Sequence, residues 1–277
     1  FFGGAVGGMH GFGEKGHNFI EILSKRLGFK NVVVPNRIST DQYIDYLSTI
    51  SIQGIVIGQI SQELYLLMSE SINEISEKQS KGQIGSSTMP HKVNPQLVLE
   101  VIRLSFQLKE KATSVFNIAP LSHEGGEPNN QIIETILFET IPMSINLFNK
   151  FNNLLNNIKV NDSRMKDNLY LSKDFIASEN LMLKLAVHIG RPKSHDIIHN
   201  CIQVALKNKS SVKNEFLNNK VILQYIPEKN IDELLDPINY LGQCEVISKN
   251  ANVLALETIT KIQERIIKKD LDINSIN

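Results

Sequence analysis

Residues 85–95, with the sequence GSSTMPHKVNP, bring together groups that could act on a carboxylate substrate. Ser86 supplies a hydroxyl, Lys92 a full positive charge and Asn94 a hydrogen-bond donor. Asn94 followed by Pro95 predicts the start of a helix, with Asn94 as the N-cap and Pro95 at the first helical position. The free N–H groups and the positive dipole end of a helix start can bind a carboxylate or a phosphate. The segment therefore predicts a hydroxyl, a cation and an anion-binding helix end in one place.

Removal of a proton next to a carboxylate is the chemistry that this set of groups could perform. The reaction needs a base near the carbon and donors aimed at the charge that develops on the carboxylate oxygens. A free serine is a weak base, so Ser86 can serve only as the alkoxide, which nearby positive potential would favour. The alternative is that a segment rich in Ser and Gly before a helix start is a plain connector. The residues alone leave both interpretations open.

Long helices are predicted on both sides of this segment. Apolar residues between Asp41 and Lys78 recur mostly at three- and four-residue steps, which predicts one helix of about 50 Å or more at about 1.5 Å per residue. The helix after Asn94 has an apolar face of Leu97, Val98, Val101, Leu104 and Leu108. A third helix is predicted over residues 129–158, and Pro142 should kink it rather than end it. Its apolar face comprises Ile132, Ile136, Phe138, Ile141, Ile145, Phe148 and Leu155.

Helices of this length predict an elongated bundle, and the helical segments become shorter beyond residue 160. We expect them near residues 162–169, 173–189, 194–207, 211–218 and 251–269. The prediction is an all-α protein with a central long-helix bundle in residues 1–160 and a small helical C-terminal domain in residues 161–277. Apolar faces this wide would leave apolar surface exposed on one chain, so we expect an oligomer. Because the chain begins at Phe1 rather than Met, directly in FFGGAVGG, we expect that something upstream is missing and that the 1–160 domain is partial.

Composition and charge exclude several classes of function. Lys plus Arg and Asp plus Glu are both 29 in 277 residues, and this zero net charge argues against a nucleic-acid partner. No apolar run approaches the roughly 18 residues that span a bilayer, and the N-terminal residues lack the charged region followed by an apolar stretch that marks a signal peptide, so neither membrane insertion nor export is expected. Cys201 and Cys244 lack a disulfide or metal-like spacing, which favours the cytoplasm.

Two histidine pairs could belong to a metal site or a phosphate site. His195 and His199 are four residues apart, as in the helix of zinc proteases, but Asp196 replaces the required Glu and no third ligand is evident. The glycines between His10 and His17 lack a preceding strand and the lysine of a phosphate-binding loop. We therefore expect surface or packing roles for these histidines, and neither a metal nor another cofactor.

The 85–95 segment resembles the GSSxMPxKxNP signature of the fumarase/aspartase superfamily, and its Pro-His-Lys is most similar to the adenylosuccinate lyase and 3-carboxymuconate cycloisomerase branches. Three further segments resemble the superfamily, in the order that its members have. They are GGAVGG at 3–8, SENLMLKLAVHIGRPKSH at 178–195 and LLDPINYLG at 234–242, the last being more cycloisomerase-like. The resemblance covers nearly the whole chain.

This resemblance implies a homotetrameric lyase whose active sites combine loops from several chains. It implies that Ser86 is the general base for the Cβ proton and that Lys92 and Asn94 stabilise the aci-carboxylate intermediate. Main-chain amides around Met89 would hold a substrate carboxylate. The full set of expected substrate-binding residues is Ser87, Thr88, Met89, His91, His123 and Glu124. For His91 we expect an orienting role with direct acid–base catalysis as the alternative, and His123 with Glu124 could instead form a structural salt bridge.

Residues 123–126, His-Glu-Gly-Gly, depart from the His-Glu-Arg-Asp of these branches. In adenylosuccinate lyases the arginine contacts the phosphate of the nucleotide substrate, which Gly125 cannot do. The expected reaction is β-elimination from a succinyl-type small-molecule carboxylate, with C–N cleavage and release of fumarate. The alternatives are a cycloisomerase-like enzyme and a non-catalytic helical scaffold of the same fold. Superfamily members carry the catalytic histidine in an N-terminal part, so we expect this chain to be inactive by itself.

Overall fold

The computed structural model describes residues 3–4, 7–31, 40–78, 94–118, 127–171 and 173–274. These residues are almost entirely helical, which confirms the predicted all-α fold. The chain divides into two compact units, which we call the first and the second unit. The first comprises Phe1–Asn161 with Arg265–Asn277, and the second comprises Asp162–Glu264. None of the described helices is long and apolar enough to cross a membrane.

Three long helices form the centre of the first unit, and one of them runs antiparallel to the other two. Its elements are a 3₁₀ helix at His10–Lys15, α1 at Gly16–Arg26, α2 at Asp41–Leu67, β1 at Ile75–Glu77, α3 at Gln96–Thr113, α4 at Val115–Ile118, α5 at Glu127–Asn156 and β2 at Ile158–Val160. The Lys150 ammonium lies 2.9 Å from Glu100, and Lys111 pairs with Glu139, so α5 runs antiparallel to α3. The ends of α2 and α5 therefore lie beside the start of α3.

The predicted helix from Asp41 to Lys78 is shorter in the structure, because α2 ends at Leu67. A turn follows in which Asn73 has a φ of 52°, a left-handed conformation that Asn tolerates better than most residues. Ile75, which continues the helical spacing, lies in β1 instead. This strand pairs antiparallel with β2, with Ile75 opposite Val160. Three-residue strands are too short to show a periodicity of their own, so the sequence pattern could not separate them from the helix.

Small residues let α2 and α3 pack closely. A Cβ atom added to Gly58 would lie 2.7 Å from Ser105 Oγ, whereas one added to Gly54 would make ordinary contacts of 3.6 Å. The predicted apolar face of α3 is confirmed, since its residues are buried or pack against the core. The core between these helices consists of Ile50, Ile57, Val98, Val101, Leu104, Leu108, Leu147 and Leu154.

The predicted apolar face of α5 is wrong for the core of this chain. Among its seven residues only Ile136 is buried, and Phe138 is 77% exposed. The face that packs inward carries Ile133, Ile136, Thr140, Ser144, Leu147 and Leu154. Because α5 has apolar residues on two faces, spacing alone could not tell which face meets α3. The helix does not end at Pro142, as predicted, and the kink expected there stays a prediction.

Apart from the 31-residue α13, the second unit is built from shorter helices packed around α8 and α9. Its elements are α6 at Asp162–Leu171, α7 at Lys173–Ile176, α8 at Ser178–Ile189, α9 at Arg191–Asn208, α10 at Val212–Leu217, α11 at Lys220–Tyr225, α12 at Glu228–Leu235, a 3₁₀ helix at Pro237–Asn239 and α13 at Cys244–Asn274, whose end belongs to the first unit. The helix predicted over residues 173–189 is divided in two, and α11 and α12 were missed. Asn219 could have indicated the start of α11, because it is the N-cap residue and its side chain accepts from the N–H groups of Val221 and Ile222.

Candidate functional site

Asn94 is the one predicted site residue inside the described part of the chain, where it is half-buried and precedes Pro95. The others lie outside the described residues. They are Ser86, Ser87, Thr88, Met89, His91, Lys92, His123 and Glu124. Their assignments stay predictions, and the geometry below concerns the described residues that flank them.

The start of α3 differs by one residue from the predicted register. Pro95, with φ −73° and ψ 92°, occupies the N-cap position, and the helix begins at Gln96. Asn94 is therefore not the N-cap, and Pro95 is not the first helical residue. The fixed φ of proline suits either position, so the Asn-Pro pair could not set the register. Since proline offers no side-chain acceptor, the first N–H groups of α3 need another partner.

Glu77 supplies that partner from 20 residues earlier in the chain. The N–H of Leu97 donates to Glu77 Oε2 at 3.2 Å, and the N–H of Val98 donates to Glu77 Oε1 at 2.8 Å. A carboxylate in this position satisfies two free donors and interacts favourably with the helix dipole. The predicted anion-binding helix start is thus corrected, because the protein's own carboxylate holds these two donors. No local pattern indicates a cap so distant in sequence.

Lys78 fixes the other side of the 79–93 segment. Its backbone N–H donates to the carbonyl of Asn157 at 2.8 Å, and its Nζ donates to the carbonyl of Asn156 at 3.0 Å. A lysine at the last carbonyls of a helix such as α5 satisfies free acceptors and complements the negative dipole end. The residues on both sides of the predicted catalytic segment are therefore held at the same end of the bundle.

The segment that contains His123 and Glu124 joins the bundle at the opposite end. It is flanked by the end of α4 and the start of α5, which lie beyond the end of α3. Since α3 has 18 residues, about 27 Å separates its two ends at about 1.5 Å per residue. Within one chain, Asn94 and the residues that flank the 119–126 segment are therefore far apart.

In the second unit, the 178–195 segment borders an open cavity of about 680 Å³. The residues lining it are Ser178, Glu179, Met182, Arg191, Pro192, His195, Asp196, Ile198, His199 and Ile202. The rings of His195 and His199 stack with centroids 5.9 Å apart, and His195 Nδ1 lies 3.4 Å from Asp196 Oδ1. Across the described residues, no three His, Cys, Asp or Glu side chains cluster in a way that could hold a metal ion.

The structure brings the 178–195 segment together with the 234–242 segment. Asn180 Nδ2 donates to the carbonyl of Leu234 at 3.1 Å, and the hydroxyl of Tyr240 donates to Glu179 Oε2 at 2.9 Å. The hydrogen bond to Glu179 raises the pKa of Tyr240, with further contributions from burial and the negative charge of Glu179. These contacts give the two motif segments a shared structural role in the second unit.

Asp236 forms a second connection in this region. It accepts from the hydroxyl of Tyr170 at 3.0 Å and from the N–H of Ile238 at 3.1 Å. Burial, followed by the hydrogen bond to Asp236, raises the pKa of Tyr170. Asp236 therefore fixes the start of the Pro237–Asn239 turn against α6.

Two protein families match this chain. The family described as "Lyase" matches residues 1–108, and the family described as "Adenylosuccinate lyase C-terminus" matches residues 174–251. Between them, these matches contain the segments at 3–8, 85–95, 178–195 and 234–242. The matches therefore fall on the same parts of the chain as the sequence resemblance.

Curated proteins are similar in sequence over most of this chain, and a solved structure shares its fold. N-acetyl-S-(2-succino)cysteine lyase from Dickeya dadantii is 32% identical over 86% of this chain and 53% of its own length. Adenylosuccinate lyase from Pyrococcus horikoshii is 28% identical over 95% of this chain and 58% of its own length. The 3-carboxy-cis,cis-muconate lactonizing enzyme from Pseudomonas putida shares the fold, with a TM-score of 0.76 at 24% identity over 88% of this chain and 55% of that one. The chain thus spans about half the length of the curated relatives it matches.

Proposed function

Because this chain belongs to the fumarase/aspartase superfamily of lyases, in the branch of adenylosuccinate lyase and carboxymuconate cycloisomerase, we propose that the whole protein catalyses β-elimination from a succinyl-type substrate. The observation that carries this proposal is the GSSTMPHKVNP sequence of residues 85–95, which lies inside the 1–108 family match. The products are fumarate and the group that was attached to the succinyl carbon.

The reaction begins when the Ser86 alkoxide removes a proton from Cβ of the succinyl group. The electron pair passes into the adjacent carboxylate as an aci-carboxylate, whose charge Lys92 and Asn94 stabilise. Its return forms the Cα–Cβ double bond as the bond from Cα to the leaving atom breaks. The leaving group takes that bond's electron pair and gains a proton, and we assign no residue of this chain to that last transfer. Ser87, Thr88, Met89 and His91 bind and orient the substrate in this proposal.

Active sites shared between the chains of a homotetramer complete the proposal. In one chain the residues flanking 79–93 and those flanking 119–126 lie at opposite ends of α3. This separation favours sites in which His123 and Glu124 come from a neighbouring chain. The outward face of α5, with Phe138 77% exposed, offers apolar surface for such an assembly.

Unpaired Cys201 and Cys244 favour a cytoplasmic location.

The leaving atom is the main question about the substrate. We propose C–N cleavage first, as in the adenylosuccinate lyase that is 28% identical to this chain. C–S cleavage is the second candidate, because the relative with 32% identity is an S-(2-succino)cysteine derivative lyase. Gly125, where the branch has an arginine that contacts a nucleotide phosphate, favours a substrate without that phosphate in both cases. Cycloisomerisation and a non-catalytic scaffold stay as the alternatives.

The test is an assay of fumarate release by the full-length protein, in which ultraviolet absorbance monitors the fumarate. The substrates are adenylosuccinate, an N-succinyl amino acid and N-acetyl-S-(2-succino)cysteine, with 3-carboxymuconate as the cycloisomerase probe. We expect fumarate from one of the succinyl compounds and a loss of about a hundredfold or more in Ser86→Ala, because a positioned base contributes that much. Ser76→Ala, an exposed serine in β1, is the matched control and should retain activity.

Each contrary result has a separate meaning. Full turnover by Ser86→Ala would refute the assignment of the base. Conversion of carboxymuconate without fumarate release would favour the cycloisomerase, and a folded oligomer inactive on all four compounds would favour the scaffold.

A further inference from the structure

We propose that Glu77 is a positioning residue for Asn94, which it holds in place by capping the first turn of α3. This inference rests on the proposed function, in which Asn94 stabilises the aci-carboxylate. Glu77 itself touches neither substrate nor reacting atoms in this proposal. Its role is to fix the backbone position of Asn94, from which the Asn94 side chain extends.

The cap is specific because it uses both carboxylate oxygens. Oε2 accepts from Leu97 at 3.2 Å and Oε1 accepts from Val98 at 2.8 Å. Two hydrogen bonds to consecutive N–H groups orient the first turn of α3 as well as hold it, and a charged acceptor makes each bond stronger than a neutral one. The position of this turn is therefore set by a residue on β1 rather than by its own neighbours.

Little freedom separates this turn from Asn94. Pro95 is the N-cap, with φ fixed near −73°, and it is the single residue between Asn94 and Gln96. A shift or fraying of the first turn must therefore move Asn94 as well. The geometry links the carboxylate of Glu77 to the backbone of Asn94 through a short and stiff path.

Glu77 is well suited to hold the turn because it is itself fixed. It lies in β1 opposite Ile158 of β2 and is half-buried. The next residue, Lys78, is bound through its N–H and Nζ to the carbonyls of Asn157 and Asn156. The carboxylate thus projects from a site tied to the end of α5, so it is organised before any substrate binds.

One electrostatic consequence follows for the substrate. The two N–H groups at the start of α3 that could have bound a substrate carboxylate already donate to the carboxylate of Glu77. A second anion at this place would face both occupied donors and repulsion from Glu77. The substrate carboxylate must therefore take its donors elsewhere, and the aci-carboxylate meets Asn94 rather than the helix end.

The experiment compares Glu77→Ala, Glu77→Gln and Glu77→Asp in the full-length protein. Alanine removes both acceptors, and we expect kcat to fall about tenfold or more, since a displacement near 1 Å can cost up to a hundredfold. Glutamine retains one acceptor and aspartate is one methylene shorter, so both should lose less than alanine. Glu70→Gln removes the same charge from an exposed residue of the preceding turn and should keep wild-type kcat.

A double-variant cycle separates positioning of Asn94 from a general loss of stability. If Glu77 acts through Asn94, the combined Glu77→Ala and Asn94→Ala variant loses about as much kcat as Asn94→Ala alone. Losses that multiply would overturn the positioning role. Wild-type kcat in Glu77→Ala would overturn it as well.

Amide hydrogen exchange provides a readout that does not depend on turnover. The N–H groups of Leu97 and Val98 should exchange faster in Glu77→Gln than in the wild type, while those in the middle of α3 stay unchanged. Equal exchange rates would refute the cap. If the wild-type protein releases no fumarate from any succinyl compound, the proposed function fails and the catalytic role of Glu77 fails with it, whereas the exchange result still decides the cap.

Discussion

At the scale of single residues, two tyrosine hydroxyls of the second unit donate to carboxylates. Tyr240 donates to Glu179 and Tyr170 donates to Asp236, and these bonds hold the 234–242 segment in place. Ionisation of either tyrosine would replace a donor with a negative charge beside a carboxylate. Both hydrogen bonds therefore require the protonated form of the tyrosine.

The stability of the second unit should fall at alkaline pH because of Tyr240. Its pKa is raised in the folded protein, chiefly by the bond to Glu179, so its contribution is present below the ordinary tyrosine pKa of about 10 and is lost as the pH rises through the raised value. Wild type should exceed Tyr240→Phe in unfolding temperature near neutral pH, and the difference should shrink at higher pH.

Thermal unfolding followed by circular dichroism measures this difference. Tyr225→Phe is the control, because phenylalanine keeps the ring stack on His188. A difference between wild type and Tyr240→Phe that stays the same at every pH would contradict the assigned cause.

At the scale of elements, the approach of α2 to α3 depends on Gly58. A methyl group there would meet Ser105 Oγ, and that hydroxyl could turn away only by giving up its 2.7 Å bond to the carbonyl of Ile102. Gly54, one turn earlier, has room for a methyl group. The two positions form a matched pair on the same helix face.

Gly58→Ala should destabilise the bundle by about 1–3 kcal/mol, because an added methyl group overpacks a close helix interface. Gly54→Ala should be neutral or stabilising by up to about 1 kcal/mol, because alanine favours the helix. Chemical denaturation of both variants gives the comparison. Equal stabilities would show that Ser105 yields without cost.

A comparison of α3 and α5 shows when the spacing of apolar residues predicts the buried face of a helix. The inward face of α3 was predicted because Val98, Val101, Leu104 and Leu108 recur at three- and four-residue steps, although Leu99 and Phe106 place apolar side chains on its exposed side. On α5 the spacing indicated the exposed face, because Ile132, Phe138 and Ile145 are as regularly spaced as the buried Ile133, Ile136 and Leu147. When a helix has two apolar faces, the helix that packs against it decides which face is buried. The sequence of the first helix alone does not contain that information.

At the scale of the whole molecule, the proposal of shared active sites makes a prediction about mixed oligomers. Full-length Ser86→Ala and His123→Ala should each lose most of the activity. When they are co-expressed, about a quarter of the sites in random mixed oligomers should combine two intact segments from different chains. The measurement is fumarate release by the mixture, with each variant alone as the control. A mixture as inactive as its components would indicate that both segments of a site come from one chain.

The sequence by itself determined the all-α class, the apolar face of α3 and the superfamily signature at residues 85–95. These features depend on residues close together in the chain, where periodicity and composition act. The tertiary structure decided that Glu77 caps α3, that β1 pairs with β2 and that α5 turns its other face inward. Each depends on groups brought together across 20 residues or more. A hydrogen bond forms with the acceptor that is near in space, and nothing in the local pattern of either partner records that distance.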